Sequence, residues 1–215
     1  MSFLISDSLI PFASELASTL QAKQFTVALL VPESEDNPPA RVPGIPWNRP
    51  SALSARTVIV EAKNSFPVLD QAVVVFDTAQ AATLLSENST TSGIVDDFIK
   101  GYLLLVGELV RHFTVQKKGR LVFVLRPVIA GTINPSLQNI ALFAAESAFL
   151  RLAEETAASF SSGPAQDIQA LLVKLETTGD AENLEWLVEQ LAQPSLSRNQ
   201  GRWIKAGSRV LFGKL

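Results

Sequence analysis

The chain has 215 residues, 47% of them hydrophobic and 18% charged, a balance that builds a sizeable core and excludes a disordered tail. A formal charge of -3 with scattered basic residues speaks against a nucleic-acid surface. With no cysteine and one histidine, disulfide frameworks, zinc–thiolate centres and cysteine nucleophiles are excluded, and no metal site is expected.

The segment 1–6 has no basic run followed by an apolar stretch, and no apolar run approaches a membrane span, so a cytoplasmic protein without a membrane partner is expected. Residues 3–5 read as a short first strand. Ser6, Asp7 and Ser8 then offer caps, Pro11 suits a first helical turn, and Ile10, Ala13, Leu16, Ala17 and Leu20 recur at helical spacing. The apolar run 25–31 predicts a second strand covered on both faces, the mark of parallel pairing.

Six prolines between Pro32 and Pro50 exclude a regular helix there. The stretch 32–56 is expected to replace the usual crossover helix with a loop that plugs or covers part of the fold, pinned by Trp47, or that binds a ligand. Residues 57–61 and 71–76 read as strands. Residues 94–113 predict a long helix whose middle, 102–106, is apolar on nearly every face, as suits a helix covered by the sheet on one side and by a partner subunit on the other. Gly119 turns the chain into a strand at 121–125. A loop with Pro127, Gly131, Asn134 and Pro135 leads to a second long helix at 137–160. A strand at 168–175, a helix at 182–191 and short strands at 203–204 and 210–212 complete the pattern. Alternating strands and helices predict one α/β domain over 1–215: a three-layer, doubly wound, mostly parallel, Rossmann-like sheet.

Several short motifs stand in a particular order: Leu69-Asp70-Gln71-Ala72-Val73, then Gly101, Gly119-Arg120-Leu121-Val122, Leu152-Ala153-Glu154-Glu155, and Gly201-Arg202-Trp203-Ile204 with Gly207. In this order and at these distances the chain resembles the short-chain dehydrogenase/reductase family nearly end to end. That resemblance implies a dinucleotide fold and assembly through the two long helices. It also exposes departures. The family's glycine-rich turn, where pyrophosphate meets backbone amides, falls on Asp7, Pro11 and Ala13; its cofactor wall of two asparagines, alanine and glycine falls on Val74-Val75-Phe76-Asp77. The family's serine falls on Arg126, its tyrosine and lysine on Gln138 and Leu142 or, one residue on, Asn139 and Phe143, and its asparagine on Phe98. Tyr102, the single tyrosine, stands on a different helix, so the acid/base pair such chemistry needs is missing.

Asp77, Arg126 and Gln138 are the candidate ligand-crevice residues, with Arg126 able to bind an oxyanion bidentately and Asp77 able to pair with it or to cap the following helix. Glu146 with Arg151 and Glu108 with Arg111 read as helix-surface pairs, His112 as a helix-end cation, Trp186 and Trp203 as core or interface aromatics, and Lys117, Lys118 and Arg120 as a solvated turn. The expected function is that of a non-catalytic, structural or regulatory subunit with no cofactor, joined through the helices at 94–113 and 137–160 to itself or to a catalytic relative. The alternatives are an NAD- or NADP-binding oxidoreductase with an unconventional site, and a small-ligand module using Asp77 and Arg126. An open crevice favours the alternatives; a packed one opposes them.

Overall fold

Continuous apolar runs in the middle of the chain form strands buried on both faces, and the architecture follows from covering them. A computed structural model describes residues 1–33, 42–84, 90–128, 136–162, 167–176, 178–193 and 201–206. In chain order the elements are β1 (Ser2–Ile5), α1 (Pro11–Ala22), β2 (Thr26–Val31), β3 (Gly44–Pro46), α2 (Ala52–Ser65), β4 (Gln71–Asp77), α3 (Thr78–Leu84), α4 (Thr91–Val95), a π-helical turn (Asp96–Lys100), α5 (Gly101–Gln116), β5 (Gly119–Arg126), α6 (Leu137–Ser162), β6 (Ile168–Lys174), α7 (Asp180–Ala192) and β7 (Trp203–Lys205). The described strands form one sheet in the order β3-β2-β1-β4-β5-β6-β7, every neighbouring pair parallel. One face packs on α2, α5 and α6 through Val58, Leu105, Leu109 and Phe149. The other packs on α1 and α7 through Leu16, Leu20, Leu187 and Leu191. This is the three-layer, Rossmann-like arrangement that the alternation predicts.

Four elements differ from expectation. Residues 57–61 lie inside α2, and the crossover helix that the loop at 32–56 was expected to replace is present. The Ser51 hydroxyl caps α2 by accepting from the Ser54 amide at 3.2 Å, and Ser54, Ala55, Val58, Ile59 and Ala62 bury one stripe. That single buried face outweighs the strand preference of the β-branched run Thr57 to Val60. The proline-rich stretch also contributes an edge strand, β3, because the Leu29 amide donates to the Pro43 carbonyl and the Trp47 amide to the Val31 carbonyl, extending the ladder beyond β2. Helix α3 begins immediately after β4, where the Asp77 carboxylate accepts from the Gln80 amide at 3.0 Å. The long helix predicted at 94–113 starts earlier, with the Thr90 hydroxyl capping Gly93, and passes through the π-helical turn into α5. Gly119 is required where α5 hands over to β5: its φ is +148°, and a Cβ there would stand 2.1 Å from the Phe113 ring. Gly131, Asn134, Pro135, Gly207 and the strand expected at 210–212 lie outside the described residues.

Candidate functional site

The chain leaves β1 toward β2 on one side and re-enters the sheet at β4 on the other, so the topological switch lies between the carboxyl ends of β1 and β4. Beyond β1, Ser6 prolongs the ladder: its amide donates to the Val73 carbonyl and its hydroxyl accepts from the Val75 amide, each at 2.9 Å. Asp7 follows with φ +82°, a left-handed conformation in which glycine is usual. Its carboxylate accepts from the Leu9 amide at 3.2 Å and forms a buried ion pair with Arg49.

Arg49 arrives from the connection between β3 and α2. Its guanidinium lies 4.8 Å from the Phe98 ring centre and 5.6 Å from that of Trp47. The loop can settle this deeply because residue 101 is glycine; a Cβ there would stand 2.9 Å from Arg49 Cβ and 3.2 Å from the Arg49 carbonyl oxygen. Burial pushes the Asp7 carboxyl above its usual range, against the pull of Arg49. Burial also raises half-buried Asp97, again opposed by Arg49. For Arg49, burial acts to lower the pKa, but the Asp7 charge, reinforced by that of Asp97, acts against burial and the pKa is raised. The attraction therefore holds the pair together without fully offsetting the burial of the carboxylate.

A second pair stands on the other half of the sheet. Asp77 and Arg126 are register partners on β4 and β5, and Arg126 Nη1 lies 2.7 Å from Asp77 Oδ2. Arg126 Nη2 pairs with Asp180 at the start of α7, while its Nε has no partner among the described residues. The guanidinium lies 4.8 Å from the Phe12 ring centre. Ile10, Phe12, Asp77 and Arg126 are all buried, and Pro11 contributes no amide donor. In the first turn of α1, where a dinucleotide pyrophosphate would seek N–H groups, Phe12 and Ala13 are buried and Pro11 is exposed.

The structure brings Asp77 and Arg126 together, uses Asp77 as a helix cap as well, and adds Asp180. Gln138 stands half-buried in the first turn of α6. Leu142 is buried, Phe143 exposed and Phe98 buried against Phe76. Tyr102 is fully buried and donates to the Val75 carbonyl at 2.8 Å. Burial, reinforced by the Asp7 charge, pushes its phenol far above the ordinary value, so it remains protonated. Sequence reasoning missed Arg49 and Asp180, which are joined to the site only by tertiary contacts.

Other expectations resolve individually. Glu108 pairs with Arg111 and with Arg56 of α2, each at 3.3 Å. Arg151 pairs with Glu154 and Glu155, and Glu146 accepts from the Thr78 hydroxyl. His112 is buried, and burial followed by the Lys63 charge lowers its pKa, which disfavours the helix-end cation expected of it. Arg120 is not part of a solvated turn; β5 already begins at Gly119, and the Arg120 side chain is drawn into the sheet edge. Among the described residues no group of three potential ligands could hold a metal ion, and no helix is long and apolar enough to cross a membrane.

No family model matches the chain. Over 213 residues it is 34% identical to an uncharacterized protein of Treponema pallidum (strain Nichols), an alignment covering 98% of this chain and 94% of that protein. Among solved structures, one assigned as a 3-oxoacyl-reductase from Bacillus thuringiensis superposes with a TM-score of 0.69 at 14% identity over 95% of each chain. The 3-ketoacyl-(acyl-carrier-protein) reductase from Brucella melitensis complexed with NADH gives 0.67 at 16% identity, again over 95% of each chain. A short chain dehydrogenase from Bacillus anthracis gives 0.58 at 12% identity, over 81% of this chain and 74% of that one. At these identities the likeness is one of fold.

Proposed function

This chain belongs to one family with the uncharacterized treponemal protein, and on that premise we propose a non-catalytic subunit that keeps the short-chain dehydrogenase/reductase fold without its hydride transfer. Its role is structural or regulatory, it binds no NAD or NADP, and it assembles with a second copy or with a catalytic chain of the same fold. The observation that supports this reading is the matched charge beside the switch point: Arg126 is tied to Asp77 and Asp180 and laid against Phe12, so the protein's own carboxylates already take up its charge. The assembly surface is the outward side of α5 and α6, where Leu103, Leu137, Ile140 and Phe143 are exposed.

Two measurements test the reading. Light scattering on the purified chain should give a mass above that of one copy, or affinity capture should recover a chain of the same fold; a strict monomer without such a partner overturns the assembly role. Thermal unfolding with about 1 mM NADH or NADPH should show no shift, whereas a dissociation constant of about 10 µM would add about 2.7 kcal/mol and would overturn the loss of cofactor binding.

A small-ligand module is the second reading, favoured by one observation. A cleft of about 410 Å³ stays open beside the Arg49 pair, lined by Leu9, Leu30, Val31, Trp47, Arg49 and Asp97. Saturable stabilisation by mononucleotides or small acids would favour it over the subunit role.

A further inference from the structure

Among the described residues two arginines, Arg120 and Arg126, are buried, and the Arg49 side chain is only 10% exposed. Arg49 and Arg126 each face a carboxylate. Arg120, only 5% exposed, has no carboxylate within ion-pair distance among the described residues. It stands at the opposite, amino-terminal edge of the sheet, between its register neighbours Gln71 on β4 and Gln169 on β6. Nη1 donates to Gln71 Oε1 at 3.4 Å; Nε and Nη2 both reach Gln169 Oε1, at 3.4 and 3.3 Å; Nη2 also donates to the Gln193 carbonyl at 3.0 Å. That carbonyl closes the C-terminal end of α7 and supplies a fraction of a negative charge.

The Nε/Nη2 side of a guanidinium is the fork that matches the two oxygens of a carboxylate or phosphate. Here both nitrogens reach the same Gln169 amide oxygen at distances beyond the usual N–H···O range, a weak contact that an oxyanion would replace while Nη2 keeps its bond to the Gln193 carbonyl. Next to it lies a cleft of about 460 Å³, whose lining includes Lys118, Gly119, Arg120 and Gln169 together with Asp70 and Asp167. Asp70 is committed elsewhere, accepting from the Ser2 amide at 2.9 Å and the Ser2 hydroxyl at 3.4 Å. Asp167 is an exposed rim residue, as is Lys118.

We infer that this amino-edge cleft binds the carboxylate or phosphate group of a small polar metabolite, with Arg120 as the buried anchor and Lys118 at the rim. The volume suits a ligand of metabolite size. The site is separated from the carboxyl-edge crevice by the length of the strands, so it stands or falls independently of the subunit role.

The test is a titration of the isotope-labelled full chain, followed by nuclear magnetic resonance at constant ionic strength, with inorganic phosphate in one arm and citrate in the other. Saturable shifts of the Arg120 Nε–H and Gly119 amide signals are expected, and the stronger arm tells phosphate from carboxylate. Arg120→Lys keeps the charge but removes the fork and should weaken binding about tenfold or more. Lys118→Glu changes an exposed residue, leaves the fold intact, and should weaken binding at least about threefold through lost charge attraction. Shifts that chloride reproduces, saturation by neither anion, or an affinity unchanged in Lys118→Glu and in folded Arg120→Lys would overturn the site.

Discussion

The carboxyl edge of the sheet carries two arginine–aspartate pairs of different origin. Asp77 and Arg126 end adjacent parallel strands and face each other in register, so the β4–β5 ladder itself sets their 2.7 Å contact. Asp7 and Arg49 are 42 residues apart and meet only because a loop folds onto the start of α5, with Trp47 and Phe98 against the guanidinium and Gly101 leaving room for its backbone. One pair is a consequence of secondary structure and the other of tertiary fit. The first should fail only when a charge is removed; the second should also fail when packing around it changes, and should depend on pH.

The largest effect is expected from Arg126→Leu, which leaves Asp77 buried without its cation at a cost of about 3–5 kcal/mol, read from urea unfolding. Asp77→Asn in the same chain should recover much of that loss; full additivity of the two changes would break the idea of a coupled pair. Arg49→Ala should cost about 2–3 kcal/mol at pH 7, again through an uncompensated carboxylate. The folded pKa of Asp7 is already raised, first by burial, so as pH rises past about 4 the unfolded chain releases this proton before the folded one and stability falls. Without Arg49 the folded value climbs further and the penalty extends to higher pH. The gap between wild type and Arg49→Ala should therefore be widest at neutral pH and narrow toward pH 4; a gap independent of pH would show that Asp7 is not the group left exposed to the penalty. Gly101→Ala should cost about 1–2 kcal/mol even though alanine favours a helix by about 1 kcal/mol over glycine, because the new Cβ meets the Arg49 backbone. A stabilised Gly101→Ala would mean that the loop yields freely.

The same division separates what was legible in the sequence from what was not. Strand β4, strand β5, the two long helices and the Asp77–Arg126 pair follow from apolar periodicity and from counting along parallel strands, and they are local or nearly so. Helix α2 was misread because Thr57-Val58-Ile59-Val60 carries a strand preference that only the burial of one face overrides. Helix α3 was legible only through Asp77, read as a possible cap of the following helix, which it is. Arg49 carried no signal beyond its place in a proline-rich stretch; its role needs Asp7, Phe98 and Gly101 to be neighbours in space. Arg120 looked solvated beside Lys117 and Lys118, because the strand begins one residue before it, and a basic run hides such a boundary.

Tyr102 touches both halves, and its replacement is the gentlest probe of the comparison. Its ring lies among Trp47, Phe76 and Phe149, 5.5–6.0 Å between centres, and its hydroxyl holds the Val75 carbonyl of β4. Tyr102→Phe keeps the ring and gives up one neutral hydrogen bond, a loss of about 1 kcal/mol at neutral pH. Its phenol is raised in the folded state, first by burial and then by the Asp7 charge, with a smaller contribution from Asp77. Above about pH 10 the unfolded chain loses this proton first, so the wild type should lose stability as pH climbs further. In Tyr102→Phe that alkaline loss should disappear, and the two stability curves should converge as pH rises. Phenolate absorbance in the wild type should appear only on unfolding. Were the folded protein to ionise near pH 10, the hydroxyl would have to be open to solvent, and the space between the two ion pairs would be a pocket rather than a core.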